Sequence, residues 1–192
     1  MLKTLLVYAH LLASCLALGR VLVADHKLWQ WRASPLNALQ LDYLAETQRI
    51  VSLALLALWI SGLLLVLQGY LDEGQGYLLN QKLWAKVVIV VLLSFNGVLL
   101  HRIGFPALQC GSFCSLPFPL RSRLALLGAL STTGWLFAAF LGVARLWNHV
   151  LPCQHVLAVF TALLLMACGA ALVFACVAGM PGRGRARRVR PG

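Results

Sequence analysis

The residues of this sequence that could do chemistry are polar side chains placed inside long apolar runs. The first run contains His10 and Ser14, the second contains Gln68, and the third contains Lys86. Because hydrocarbon rejects polar groups, such residues usually face the interior of a helix bundle and are candidates for a functional site. A neutral imidazole can ligate haem iron, and a lysine ammonium in a dry site attracts an anion. These four residues form the candidate cofactor-binding group.

The elements that must position these residues are transmembrane helices. Hydrophobic residues make up 61% of the chain, charged residues only 11%, and the mean hydropathy is +0.85. These values exclude an ordinary soluble domain. A span needs about 20 apolar residues. The sequence therefore predicts an all-α, integral membrane bundle of five transmembrane helices in one domain, residues 1–182. The predicted spans are 2–24, 50–71, 83–100, 124–144 and 155–180.

The distribution of basic residues predicts the orientation of the bundle. Of the 16 Lys and Arg, twelve lie near the ends that share a side with the C-terminus and four lie near the other ends. By the positive-inside rule, the N-terminus is outside and the C-terminus is cytoplasmic, in a bacterial inner membrane. The tail 183–192 holds five arginines, which favour anionic lipid. No basic stripe lies beside RNA-type aromatic motifs, so we expect no nucleic acid partner.

The polar residues of three helices are predicted to lie at overlapping depths. At a rise of 1.5 Å per residue, His10 lies about 12 Å from the outer edge and Lys86 about 5–9 Å from it. Gln68, near the outward end of the second span, falls in the same layer. Ser14 shares its helix face with small residues, which permits close helix approach. The sequence therefore predicts one polar layer in the outer half of the bundle.

Two interpretations of this layer stay open. No Asp or Glu lies in any predicted span, so Lys86 either extends to the outer headgroups, near Asp72 or Glu73, or binds an anion from outside the chain. Haem propionate, a quinone anion or lipid phosphate would serve. The imidazole of His10 either bonds to Ser14 or a neighbouring carbonyl, or ligates a metal, with His155 as a possible second ligand.

Two segments resemble a known group of small bacterial membrane proteins. "YAHLLASCLALGRVLVADHKLW" is similar to the first helix of CopD-like and HemJ-like proteins, and "NQKLWAKVVIVVLL" is similar to their third helix. In the HemJ-like branch the resemblance implies haem b binding and protoporphyrinogen oxidation, with the first-helix histidine and third-helix lysine essential. By position these are His10 and Lys86. Where that family has a tyrosine–histidine pair, this chain has Phe95-Asn96-Gly97.

The function predicted from the sequence is binding of haem b, or of a related redox cofactor, between the first and third helices. Copper is the alternative metal, although no methionine–histidine cluster lies at the outer face. A non-enzymatic accessory subunit or a small-solute or copper permease is the alternative function. A permease is expected to have broken helices, for which "ISG" at 60–62 and "STTG" at 131–134 are the candidates. Enzymatic activity, a homo-oligomer and the identity of any redox partner stay open.

Overall fold

Five long helices dominate the computed structural model, which describes residues 1–144 and 151–179. All five are long and apolar enough to cross a membrane, which confirms the five predicted spans. The tail predicted at 183–192 and the end of the fifth predicted span lie outside the described residues. In order, the helices are α1 Leu2–Trp31, α2 Ala38–Glu73, α3 Gln75–Leu78, α4 Gln81–Leu99, α5 Phe105–Gln109, α6 Phe118–Val143 and α7 Cys153–Ala178; a π-helical turn, Leu100–Gly104, joins α4 to α5, and a 3₁₀ turn, Phe113–Ser115, precedes α6.

The helices form two antiparallel hairpins, and α4 lies between them along the chain. The first hairpin is α1 with α2, the second is α6 with α7, and α4 packs on both α6 and α7. Ala17 of α1 and Ala85 of α4 are completely buried, as is Ile89. Small side chains let helix backbones approach closely where lipid supplies no hydrophobic driving force. Large apolar side chains on the outer helix faces are exposed, as expected against hydrocarbon.

The ends of α1 and α2 differ from the predicted spans. α1 continues to Trp31 because residues 25–31 contain no glycine or proline that would end it, and Asp25 therefore lies inside a helix rather than in a loop. α2 begins at Ala38, twelve residues before the predicted start of the second span. Asn37 is the N-cap of α2, where its side chain and that of Gln40 form a capping box.

Two glycines shape the connection between α2 and α4. Gly74 ends α2 with φ at 65°, a conformation that favours glycine. The chain then turns through α3 and places the ring of Tyr77 against Gly69. A Cβ on Gly69 would lie 2.5 Å from that ring, so a side chain at residue 69 would require the Tyr77 ring to move. Asn80 then caps α4 by accepting a hydrogen bond from the backbone N–H of Lys82.

Arg121, at the start of α6, forms hydrogen bonds to the last turn of α7 and to the segment that precedes α6. It is 7% exposed, and its guanidinium donates to Ala175 O in the last turn of α7 at 2.6 Å. It also donates to Cys114 O and Leu116 O in the segment that leads into α6. A cation at a helix C-terminus satisfies carbonyls that have no partner within the helix. Arg121 is one of the twelve basic residues assigned to the C-terminal side, and its contacts are structural.

We expect Arg121→Met to lower the free energy of unfolding by about 2–4 kcal/mol, because three carbonyl groups lose their donor. SDS-driven unfolding in mixed micelles measures the change. The matched control is Arg123→Met, which removes an exposed arginine from the same helix and should change stability by less than about 0.5 kcal/mol. Equal destabilisation by the two variants would contradict the assigned role of Arg121.

Candidate functional site

A hydrogen-bond chain from α1 to α2 orients the imidazole of His10. Its Nδ1 lies 2.8 Å from the hydroxyl oxygen of Ser61 on α2. The Ser61 hydroxyl donates to the carbonyl of Ala57, one turn earlier, at 2.6 Å. Because the Ser61 hydrogen is directed to Ala57, its oxygen accepts from His10 Nδ1–H. This assignment places the lone pair of His10 on Nε2, the nitrogen that is then available to a ligand.

Ser14 does not orient the imidazole ring. Its hydroxyl donates to the main-chain carbonyl of His10 at 2.8 Å, a bond within a single helix. Sequence reasoning offered Ser14 as the partner of the ring and treated "ISG" only as a possible break in a helix. The structure instead gives this role to Ser61, and α2 runs through residues 60–62 without interruption. In the sequence, the role of Ser61 is indicated only by a serine in the second helix at a depth that matches that of His10.

Lys86 is the polar residue that α4 contributes to the predicted layer. It projects from α4, is half-buried and is close enough to interact electrostatically with both His10 and Lys82. Among residues 1–144 and 151–179 no hydrogen bond or ion pair joins Lys86 to another group. One of the acids considered for it, Asp72, forms an exposed ion pair with Lys3 at 3.4 Å. The ammonium of Lys86 therefore has no counter-charge within the described chain.

Gln68 contributes an unsatisfied acceptor further along α2. It follows Ser61 by seven residues, two helical turns, and so lies on the same side of α2. Its Oε1 is buried and accepts no hydrogen bond from any group in the described part of the chain. Buried amide oxygens normally have a donor, and leaving one without a donor costs about 1–3 kcal/mol. The predicted outer layer thus contains an acceptor, an imidazole and an ammonium on three helices.

Lys82 is the residue that sequence reasoning missed in this layer. It is only 3% exposed, and its ammonium donates to Ala144 O at the C-terminus of α6. Its place one turn before Lys86 on the same face of α4 was the available signal, because a repeat at four residues indicates a shared inward face. Lys82 stabilises the end of a helix, whereas Lys86 carries the charge that is left for a ligand.

His155 lies in the first turn of α7 and is exposed. α7 packs mainly on α6 and α4 rather than on α1, the helix that carries His10. Within residues 1–144 and 151–179 no cluster of three or more His, Cys, Asp or Glu side chains could hold a metal ion. The roles of His155 as a second ligand and of copper as an alternative metal stay predictions.

Asp25, one residue beyond the first predicted span, belongs to α1. It lies in the last two turns of α1 and accepts a hydrogen bond from the Thr132 hydroxyl of α6 at 2.5 Å. Thr132 belongs to the "STTG" segment, through which α6 also runs without a break. At 1.5 Å per residue Asp25 is about 22 Å from His10 along α1, so it belongs to a different region of the bundle.

The two lysines of α4 should respond differently to replacement by methionine. We expect Lys82→Met to lower the free energy of unfolding by about 2 kcal/mol, because the last carbonyl of α6 loses its donor. Lys86→Met should leave stability unchanged or raise it, because it removes a half-buried charge without a described partner. Thermal denaturation of the detergent-solubilised variants tests both. Destabilisation by Lys86→Met equal to that by Lys82→Met would show that Lys86 is structural.

Comparisons of the chain with protein-family models, with curated proteins and with solved structures give no match. The resemblance of two segments to CopD-like and HemJ-like proteins therefore stays an expectation based on those residues. The five-helix fold, the His10–Ser61 contact and the unpartnered groups of Gln68 and Lys86 are the observations that bear on function.

Proposed function

We propose that this protein is a multi-pass membrane protein that binds haem b, or a related redox cofactor, with His10 as the axial ligand. The observation that carries the proposal is the chain His10 Nδ1–Ser61–Ala57. Histidines that bind a metal typically donate their other N–H to a fixed acceptor, which sets the tautomer and the ring orientation. Ser61 is such an acceptor, and Nε2 of His10 is the nitrogen that would hold the iron.

Lys86 supports an anionic group on that cofactor. A half-buried ammonium without a counter-charge is unfavourable, and a carboxylate such as a haem propionate would supply the charge and accept its hydrogen bonds. Lys86 is also within electrostatic range of His10, which supports one site for the two groups. A bound haem would supply one-electron chemistry. In this arrangement His10 would hold the iron, Ser61 would orient the imidazole ring and Lys86 would neutralise the anionic group.

The proposed setting is the bacterial inner membrane, with the N-terminus outside. The twelve-to-four distribution of Lys and Arg supports this orientation. The proposed site would then lie in the outer half of the bilayer, and the basic tail would face the anionic cytoplasmic leaflet. A redox partner would approach the cofactor from the outer side or within the membrane.

The haem proposal predicts a spectrum that depends on His10. Protein purified from haem-replete cells should show a Soret band and, on reduction with dithionite, a sharpened α band. We expect His10→Ala to lose at least nine-tenths of the haem, measured as pyridine haemochrome, because the axial nitrogen is gone. We expect Lys86→Met to lower haem content severalfold without loss of folding, because only the anion contact is removed.

The matched control is His26→Ala, which removes an exposed histidine of the same helix, bonded to Gln30. It should retain the wild-type spectrum. A wild-type protein without a Soret band would overturn the proposal and leave an accessory subunit or a permease as the alternative. An unchanged spectrum in His10→Ala would remove His10 from the site.

The orientation has its own test. A fluorescent protein fused to the C-terminus folds and emits in the cytoplasm, whereas an alkaline phosphatase fused there is active only outside. We expect the first fusion to be bright and the second inactive, because the basic residues keep the C-terminal side in the cytoplasm. Fusions after Leu79, in the α2–α4 connection, should give the opposite pattern. Active phosphatase at the C-terminus would reverse the assigned orientation.

A further inference from the structure

A cavity of about 360 Å³ lies among α1, α2, α4, α6 and α7, and a few polar side chains line it. The cavity does not include His10, Ser61, Gln68 or Lys86. Its walls are mostly apolar, as in sites that bind small organic molecules. Its lining includes the aromatic residues Trp29, Phe113, Trp135 and Phe174 and the polar residues Asp25, Thr47 and Asn96.

Two of the polar lining residues have oxygens without a donor. Thr47 of α2 is 6% exposed, and Asn96 of α4 is 2% exposed. The amide nitrogen of Asn96 donates to Leu127 O at 3.1 Å. Within the described residues, however, neither Thr47 Oγ1 nor Asn96 Oδ1 takes part in a hydrogen bond. Two buried oxygens without donors beside one cavity indicate a ligand that donates hydrogen bonds.

The third polar residue adds a charge preference. Asp25 accepts a hydrogen bond from Thr132, but none of the ion pairs in the described part of the chain includes it. Arg32, a cation that lines the cavity, donates to Trp29 O and stacks on the Trp29 ring with its guanidinium carbon 4.5 Å from the centroid. A half-buried carboxylate without a cation is unfavourable, so a cationic ligand would satisfy it.

Aromatic rings form one wall of the same cavity. Trp29 stacks on Phe174 with centroids 4.6 Å apart, and Phe174 stacks on Phe113 at 5.6 Å. The three rings come from α1, α7 and the 3₁₀ turn. The stacked rings present apolar surface to the cavity. The wall therefore suits the apolar body of a ligand.

We propose that this cavity binds an amphiphile with an apolar body and a primary ammonium head, which donates to Asp25, Thr47 and Asn96. The three acceptors come from three different helices, so the ligand would also join α1, α2 and α4. The proposal does not depend on haem binding, because His10 and Asp25 lie about 22 Å apart along α1.

Quenching of tryptophan fluorescence by brominated probes tests the site. Trp135 lines the cavity and is 5% exposed, so a bromoalkyl chain inside the cavity would quench it. Bromooctylamine, bromooctanol and bromooctanoate are titrated into protein in lipid nanodiscs. Partitioning into lipid gives quenching that rises without saturation, whereas the site adds a saturable component. We expect saturation with bromooctylamine at a concentration at least tenfold lower than with the alcohol, and none with the carboxylate.

Two variants separate binding from folding. Thr47→Val removes an unpartnered hydroxyl, so we expect the protein without probe to become more stable and the Kd for bromooctylamine to rise at least threefold. Asp25→Asn should raise the Kd for the amine at least tenfold and change that for the alcohol little, because only the charge is lost. Thr161→Val and Asp42→Asn are the matched controls, since both residues are exposed and lie outside the cavity lining.

Three outcomes would overturn the proposal. The first is quenching by bromooctylamine that never saturates. The second is binding of bromooctanol or bromooctanoate as tight as that of the amine. The third is wild-type affinity in both Thr47→Val and Asp25→Asn. Because the readout is binding in nanodiscs, the same titration in His10→Ala protein is expected to give the wild-type Kd, whether or not haem binding is confirmed.

Discussion

Satisfying polar groups without water is the constraint on which this structure depends. Lipid offers no hydrogen-bond partners, so the backbone must form helices and each inward polar side chain needs a partner from the protein. Arg121 and Lys82 show how the chain meets this demand. Both are cations with little exposure, and both donate to carbonyls at helix C-termini rather than to acids. Side chains from other elements thus donate hydrogen bonds to main-chain carbonyls at the C-terminal ends of α7 and α6.

The same constraint identifies the places where the described chain does not satisfy itself. On one side of the bundle, Lys86 has no counter-charge and Gln68 has no donor, while His10 holds one ring nitrogen free. Around the cavity, Thr47 and Asn96 lack donors and Asp25 lacks a cation. The two regions are complementary in charge, since one needs an anion and the other a cation. Each is therefore interpreted through the ligand that would complete it.

Sequence reasoning succeeded where the relevant property is local. Run length and hydropathy predicted five spans, and the structure has five apolar helices in the same regions. The depth estimate assigned His10 and Lys86 to one layer, which stays a prediction. Reasoning failed at the boundaries, because the polar residues 25–31 continue α1 as a helix. That extension turned Asp25 from a loop residue into a group inside the bundle.

The partners of the polar side chains depend on contacts between distant segments. His10 meets Ser61 across 51 positions, Arg121 meets Ala175 across 54, and Asp25 meets Thr132 across 107. The sequence by itself determined the helices, because each backbone hydrogen bond forms within four residues and apolar side chains tolerate lipid anywhere. Only the tertiary structure decided which polar side chains have a hydrogen-bond or ionic partner within the described chain and which do not. That choice follows from how the helices pair, rotate and tilt, and these depend on packing of the whole bundle.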